Sequence, residues 1–146
     1  MRQLVDAIRK SWSWCGVDPV EIADANAFGN LLIRDERGEY WRLCPEDVYC
    51  EKIATSKADL EALLSTEEFQ VDWQMAELVM QARDSVGELN EGYSYCLKIP
   101  GLLGGEYGGT NLASAPTIEL IHFSGSLAEQ IKDLPDGAEI KLDIVD

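Results

Sequence analysis

Residues 96–137 read CLKIPGLLGGEYGGTNLASAPTIELIHFSGSLAEQIKDLPDG. The residues leading into it alternate, with Tyr93, Tyr95 and Leu97 separated by polar or small neighbours. Alternation with a period of two predicts a half-buried strand. Pro100 ends that strand, because proline has no N–H to donate to a sheet.

Three segments of different predicted structure follow Pro100. Five glycines within residues 101–109 predict a loop, because glycine adopts positive φ without steric cost. The apolar and partly β-branched residues 117–123 predict a second strand. Apolar residues recur at helical spacing over 127–134 and predict a short helix, which the Pro-Asp-Gly turn at 135–137 closes.

The N-terminal part predicts one helix and a hairpin. Leu4, Ile8 and Trp12 lie four residues apart and form one apolar stripe. Residues 31–33 and 40–43 flank a polar tip in which Gly38 supplies a positive φ, as a hairpin turn requires. Residues 48–54 predict a third strand. The pattern of residues 20–26 fits either a short strand or a loop.

Two helices are predicted in the middle of the chain. The first is short and has Leu60, Leu63 and Leu64 on its apolar side. The second runs over 66–86, with Ser65 and Glu68 as the capping box that opens it. Alternation over 140–144 predicts a terminal strand. This order of elements predicts a single α+β domain over 1–146, with a mostly antiparallel sheet covered by helices.

The charge is acidic and unevenly distributed. The chain carries 27 acidic and 12 basic side chains, a net charge of −15. Residues 46–91 hold 12 of the acids and 3 of the bases, which concentrates the negative charge in the middle. Direct binding to nucleic acid or to an anionic membrane is disfavoured, since both need clusters of Lys and Arg. A basic protein partner would be attracted, although acidity also simply aids solubility.

The cysteines and the apolar runs indicate a cytoplasmic protein. The spacings of Cys15, Cys44, Cys50 and Cys96 match no zinc or redox pattern, and we interpret all four as reduced, buried thiols. The first residues contain no uninterrupted apolar run of the kind a secretory signal has. No stretch approaches the ~20 apolar residues of a membrane span.

Little in the sequence indicates catalysis, a metal or a cofactor. The single histidine, His122, lies in a segment predicted as a strand, where a structural, hydrogen-bonded role is favoured over a catalytic one. A zinc site using His122 with cysteines has no support from spacing. The glycine-rich loop lacks the Lys-Ser/Thr of a phosphate-binding loop, which argues against nucleotide binding.

Five residues are candidates for contact with a partner. Glu46 and Asp47 follow Pro45 and are interpreted either as solvated capping charges, the default, or as acidic contacts for a basic partner. Glu51 belongs to the same acidic region. Glu106 and Tyr107 lie in the glycine loop, where Tyr107 either packs down onto the loop or projects as an interface anchor.

Several short segments of this sequence resemble those of a known family. KIPGLLGGEY, the IEL segment and AEQIKDLPDG occur in the order found in the C-terminal domain of type VI secretion immunity proteins, which protect bacteria against DNase effectors. NAFGNLLIRDERGEYWRLCPEDVYCE is similar to the first hairpin of the broader SMI1/KNR4-like group. The resemblance is strongest over 91–146. Residues 1–90 contain the helix, the hairpin and the acidic helices, without the larger N-terminal domain of two-domain members.

The resemblance implies an immunity protein without catalytic activity. Such a protein would bind a cognate toxin with a basic surface, a nuclease, and block its active site. The alternative is a regulatory or scaffold module of SMI1/KNR4-like type that binds a cellular protein. A hydrolase built on His122 is the third and least favoured hypothesis.

Overall fold

The computed structural model describes residues 2–134, which begin with helix α1, Arg2–Trp12. Its predicted stripe is confirmed, because Ile8 and Trp12 are fully buried and Leu4 packs against the same cluster. A 3₁₀ turn follows the helix, and Gly16 ends that turn with a φ of 97°. A residue with a β-carbon would be strained at this positive φ.

Four antiparallel strands form the main sheet, in the same order in the sheet as in the chain. The predicted hairpin and third strand are confirmed, and the undecided segment 20–26 is largely a strand. At the hairpin tip, Gly38 has a φ of 79°. The Asp35 carboxylate accepts N–H bonds from Arg37 and Glu39, both at 2.9 Å, and so stabilises the turn. The strands are β1 (Pro19–Ala25), β2 (Leu31–Asp35), β3 (Tyr40–Cys44) and β4 (Tyr49–Ala54).

Three helices follow the sheet: α2 (Lys57–Leu64), α3 (Glu67–Gln74) and α4 (Ala76–Val86). The prediction of one helix over 66–86 is wrong, because Met75 adopts a left-handed conformation with φ 48° and ψ 39°. Asn26, distant in sequence, donates to the Trp73 carbonyl at 2.9 Å and thereby binds a carbonyl at the end of α3. The cap of α3 is Thr66 rather than Ser65, since the Thr66 hydroxyl accepts from the N–H of Phe69.

The C-terminal part contains a second, two-stranded sheet and the longest helix of the described residues. Strand β5 (Tyr93–Leu97) pairs antiparallel with β6 (Leu112–Pro116), and α5 spans Thr117–Ile131. The prediction of a strand over 117–123 is therefore wrong. A short apolar run does not distinguish a strand from a buried helix. Here the buried positions continue past 123 at helical spacing, through Gly125 and Ala128.

The helices cover both faces of the main sheet, which confirms the α+β prediction. Helices α1 and α5 pack on one face, around Ile8, Leu31 and Ile121. Helices α2 and α3 cover the other face, around Leu32 and Leu60. Tyr40 belongs to this second cluster and is buried, at 7% exposure.

The second sheet is joined to the first through backbone contacts and has α4 packed against it. The N–H of Tyr95 donates to the carbonyl of Ala27 at 2.8 Å, and the Phe28 ring packs against the Tyr95 ring in a tilted arrangement with centroids 5.7 Å apart. The turn predicted at 135–137 and the strand predicted at 140–144 lie outside the described residues. Among residues 2–134, no helix is both long and apolar enough to cross a membrane.

Candidate protein-binding surface

The turn between β3 and β4 holds Glu46 inside the protein. Glu46 is 5% exposed, and the side-chain amide of Asn30 donates to both of its carboxylate oxygens at 2.9 Å. The Cys44 thiol donates to the same carboxylate at 3.0 Å. Burial raises the pKa of Glu46. The default interpretation of Glu46 as a solvated charge is therefore wrong, because its carboxylate is buried and bonded by Asn30 and Cys44 instead of water.

Arg42 connects this buried carboxylate network to helix α3. Its guanidinium donates twice to the Asn30 side-chain oxygen, at 3.0 and 3.2 Å, and forms an ion pair with Asp72. The same group lies over the rings of Phe69 and Trp73, 5.8 and 5.2 Å from their centroids. Cation–π contacts of this kind favour a guanidinium over other charged groups. Arg42 thus fixes the position of α3 against the sheet.

Asp47 joins the turn to the glycine-rich loop. The Tyr107 hydroxyl donates to the Asp47 carboxylate, and burial raises the pKa of Asp47. Gly101 lies directly beneath the Tyr107 ring, and a β-carbon there would overlap the hydroxyl. Tyr107 nevertheless remains 50% exposed. The two interpretations of the loop are therefore compatible, because the ring packs down on one side and faces solvent on the other.

Asn111 holds the loop in this conformation, a role that the sequence did not indicate. Its side chain exchanges two hydrogen bonds with the backbone of Ile99, at 2.8 and 3.0 Å, and donates to the carbonyl of Glu106 at 2.7 Å. Asn111 is buried, while the Glu106 side chain is exposed and lies beside Gly109. The signal in the sequence was weak, because an Asn after a run of glycines is typical of any turn.

The fifth candidate, Glu51, lies on β4. It is paired directly across from Arg42 on β3 and is exposed. Opposite residues of an antiparallel pair project from the same face of the sheet. Glu51 therefore lies on the α3 side of the sheet, whereas Asp47, Glu106 and Tyr107 come together at the glycine loop.

A surface groove, called here the α3–α4 groove, runs between these helices and Tyr107. It encloses about 630 Å³. Its apolar wall includes Val71, Met75 and Leu78, and its carboxylates are those of Asp72 and Glu77. The remaining lining residues are Gln74, Ala76, Gln81 and Tyr107.

Two non-glycine residues have strained backbone conformations, and one of them lines this groove. Among the described residues, the non-glycine residues with positive φ are Val48, at 58°, and Met75, at 48°. Val48 follows the tyrosine-bound Asp47, and Met75 lines the groove itself. Such conformations cost about 1–3 kcal/mol each and are found where a site needs a particular geometry.

Cys44, Glu46 and Asp47 place a thiol and two carboxylates within 4.8 Å of one another. This donor set does not fit a metal ion well. Burial raises the pKa of the Cys44 thiol, which keeps its proton and donates it to Glu46. Glu46 also accepts from Asn30, so the cluster satisfies its own hydrogen bonds.

His122 has a structural partner on another helix. Its Nδ1 atom lies 2.5 Å from the Ser11 hydroxyl, which joins α5 to α1. The expected hydrogen bond is therefore present, although His122 lies on a helix rather than a strand. The four cysteines are free thiols, as predicted, but only Cys44 and Cys50 are buried; the prediction that all four are buried is wrong, because Cys15 and Cys96 are half-buried.

The fold is an α+β module whose α3–α4 groove carries two carboxylates, those of Asp72 and Glu77. Residues 54–128 match the family described as T6SS immunity protein Tdi1, C-terminal. The match covers just over half of the 146 residues, and the chain belongs to this family. Membership confirms the predicted relation to type VI secretion immunity proteins.

The matched segment begins earlier than the resemblance in the sequence suggested. It includes α2, α3 and α4 in addition to the second sheet and most of α5. The segments that carry the resemblance to the immunity proteins, by contrast, lie after residue 90. The α3–α4 groove and the glycine loop therefore fall within it. The SMI1/KNR4-like grouping stays a prediction.

A solved structure is also similar to this chain, namely the crystal structure of Atu4351 from Agrobacterium tumefaciens. The two are 17% identical with a TM-score of 0.47, and the alignment covers 68% of this chain and 51% of that one. This chain thus spans about half the length of Atu4351. Among curated proteins, none matches the chain significantly.

Proposed function

We propose that this chain is an immunity protein that binds a cognate type VI secretion toxin, a nuclease, and neutralises it by covering its active site. The observation that carries the proposal is the family match over residues 54–128. The nuclease target is supported by charge: residues 46–91 carry 12 acids against 3 bases. Nucleases bind phosphates through basic grooves, and an acidic inhibitor is complementary to such a groove.

The contact residues proposed from the sequence are revised by their burial. Asp47, Glu51, Glu106 and Tyr107 remain candidate contacts, because Asp47 is half-buried and the other three are exposed. Glu46 is buried and supports the turn that carries Asp47. The protein acts in the cytoplasm in this proposal, since that is where a delivered nuclease meets DNA.

Electrostatics determines chiefly how fast the complex forms. Negative charge on one partner and positive charge on the other raise the association rate, and added salt lowers it again. A specific complex of this type buries ~1,600 Å² in total. The dissociation rate is governed by the buried contacts and responds less to salt.

Toxicity rescue tests the proposal directly. The chain is co-expressed with the toxin encoded beside its gene, and survival is compared with an empty-vector control. We expect survival to be restored and purified toxin to lose nuclease activity at a one-to-one ratio. Survival equal to the empty vector would refute the proposal. Capture of a housekeeping protein instead of the toxin from the native host would favour the regulatory alternative.

A further inference from the structure

The α3–α4 groove has the form of a receptor for a chain segment. Val71 is 65% exposed on its edge, Tyr107 is 50% exposed opposite, and Met75 and Leu78 form the floor between the helices. Val71 and Tyr107 thus expose apolar surface within the same groove, and a contiguous exposed apolar patch is a feature of interaction sites. The volume of the groove, about 630 Å³, lies within the range of roughly 300–1,000 Å³ that is typical of ligand sites in proteins.

The charge of the groove selects the partner. Residues 57–86, which span α2 to α4, contain seven acids and two bases. The Asp72 side chain is 66% exposed despite its ion pair with Arg42. Among the described residues, no basic group lies within salt-bridge distance of Glu77. Both carboxylates line the groove and can accept hydrogen bonds from a cation.

We propose that the α3–α4 groove binds an extended segment of the toxin, with a Lys or Arg side chain directed to Asp72 and Glu77 and apolar neighbours against Val71, Leu78 and Tyr107. This inference rests on the proposed function and names the part of the surface that performs it. The chain's own residues 135–146 are poor competitors, because their four acids and one base give them the same sign of charge as the groove.

The groove is held ready for binding by contacts on both sides. Arg42 ties α3 to the sheet through Asn30, Phe69 and Trp73. On the opposite side, the Asp47 carboxylate holds the Tyr107 hydroxyl. Walls that are already ordered lose little conformational entropy on binding, which favours affinity.

Charge reversal with a matched control tests the inference. Glu77 and Glu119 are both exposed acids in the first turn of a helix, Glu77 in α4 and Glu119 in α5. Glu77→Lys and Glu119→Lys change the net charge equally and lose the same favourable interaction with a helix dipole. Only Glu77 lines the groove. Affinity for the toxin encoded beside the gene is measured by calorimetry, and thermal melts check that both variants fold.

We expect Glu77→Lys to weaken toxin binding about tenfold or more, because like charges at a contact are strongly unfavourable, and Glu119→Lys to change it less than about twofold. Equal effects of the two variants on a toxin that still binds would refute the groove and leave the proposed function standing. Absence of binding by the unmodified chain would refute the proposed function itself.

Photocrosslinking identifies the occupant independently of charge. Val71→p-benzoylphenylalanine places a reactive group on the exposed edge of the groove. We expect it to capture a toxin peptide that contains Lys or Arg. Capture of a second copy of this chain, or of a toxin segment without a basic residue, would overturn the inference.

Discussion

Replacement of Arg42 by Met tests whether the buried network really fixes helix α3 to the sheet. The substitution keeps an unbranched side chain of similar length and removes the guanidinium. Asn30, which is fully buried, then loses both N–H donors to its side-chain oxygen. Phe69 and Trp73 lose the cation above their rings.

The size of the effect follows from these contacts. A buried acceptor left without a donor costs about 1–3 kcal/mol. The two cation–π contacts add about 0.5–1 kcal/mol each, which the Met thioether recovers in part by packing on the rings. The ion pair contributes less than about 1 kcal/mol, since the Asp72 side chain is 66% exposed to solvent. We therefore expect Arg42→Met to lower the free energy of unfolding by about 2–4 kcal/mol.

Urea unfolding, followed by tryptophan fluorescence, measures this loss. Arg37→Met is the control, because Arg37 lies at the hairpin tip with its side chain 79% exposed and only a 3.9 Å ion pair to Glu39. The control should change stability by less than about 0.5 kcal/mol. An Arg42→Met variant as stable as the control would refute the inference that this network holds α3 in place.

Two further predictions concern α5 and Cys15. Gly125→Ala improves helix propensity by about 1 kcal/mol, but the new β-carbon would lie 2.5 Å from the backbone oxygen of Ser11 in α1, an overlap that costs more than this gain. We expect net destabilisation in thermal melts, with exposed Ser126→Ala near neutral; a stabilised Gly125→Ala would show that α1 and α5 are farther apart. For Cys15, a hydrogen bond with the Cys50 thiol lowers the pKa to about 7. Because the thiolate is the reactive form, alkylation of Cys15 by iodoacetamide should rise as pH increases through 7 and level off above about 8. Mass spectrometry of the peptides measures this, and a rate still rising steeply at pH 9 would contradict the lowered pKa.

The elements that sequence analysis predicted correctly depend on short-range patterns. Ile8 and Trp12 lie on one stripe whatever the rest of the chain does, and Gly38 permits the hairpin turn through its own backbone. The acidity of residues 46–91 and the family resemblance are likewise properties of the sequence alone.

The errors came where a distant residue decides the outcome. The pattern over 66–86 is continuous, but Asn26 binds the Trp73 carbonyl and the helix breaks at Met75. Residues 117–123 have no periodicity that separates strand from helix, and packing of Gly125 against Ser11 favours the helix.

Composition and local periodicity were therefore sufficient for the α+β class, the hairpin, the first helix and the acidity of residues 46–91. Tertiary contacts alone decided that Glu46 is buried on Asn30, that Tyr107 reaches Asp47, and that α3 and α4 separate to leave a groove. The physical reason is that periodicity reports the face a residue occupies on its own element. The free energy of a buried carboxylate, by contrast, depends on donors brought to it from elsewhere in the chain.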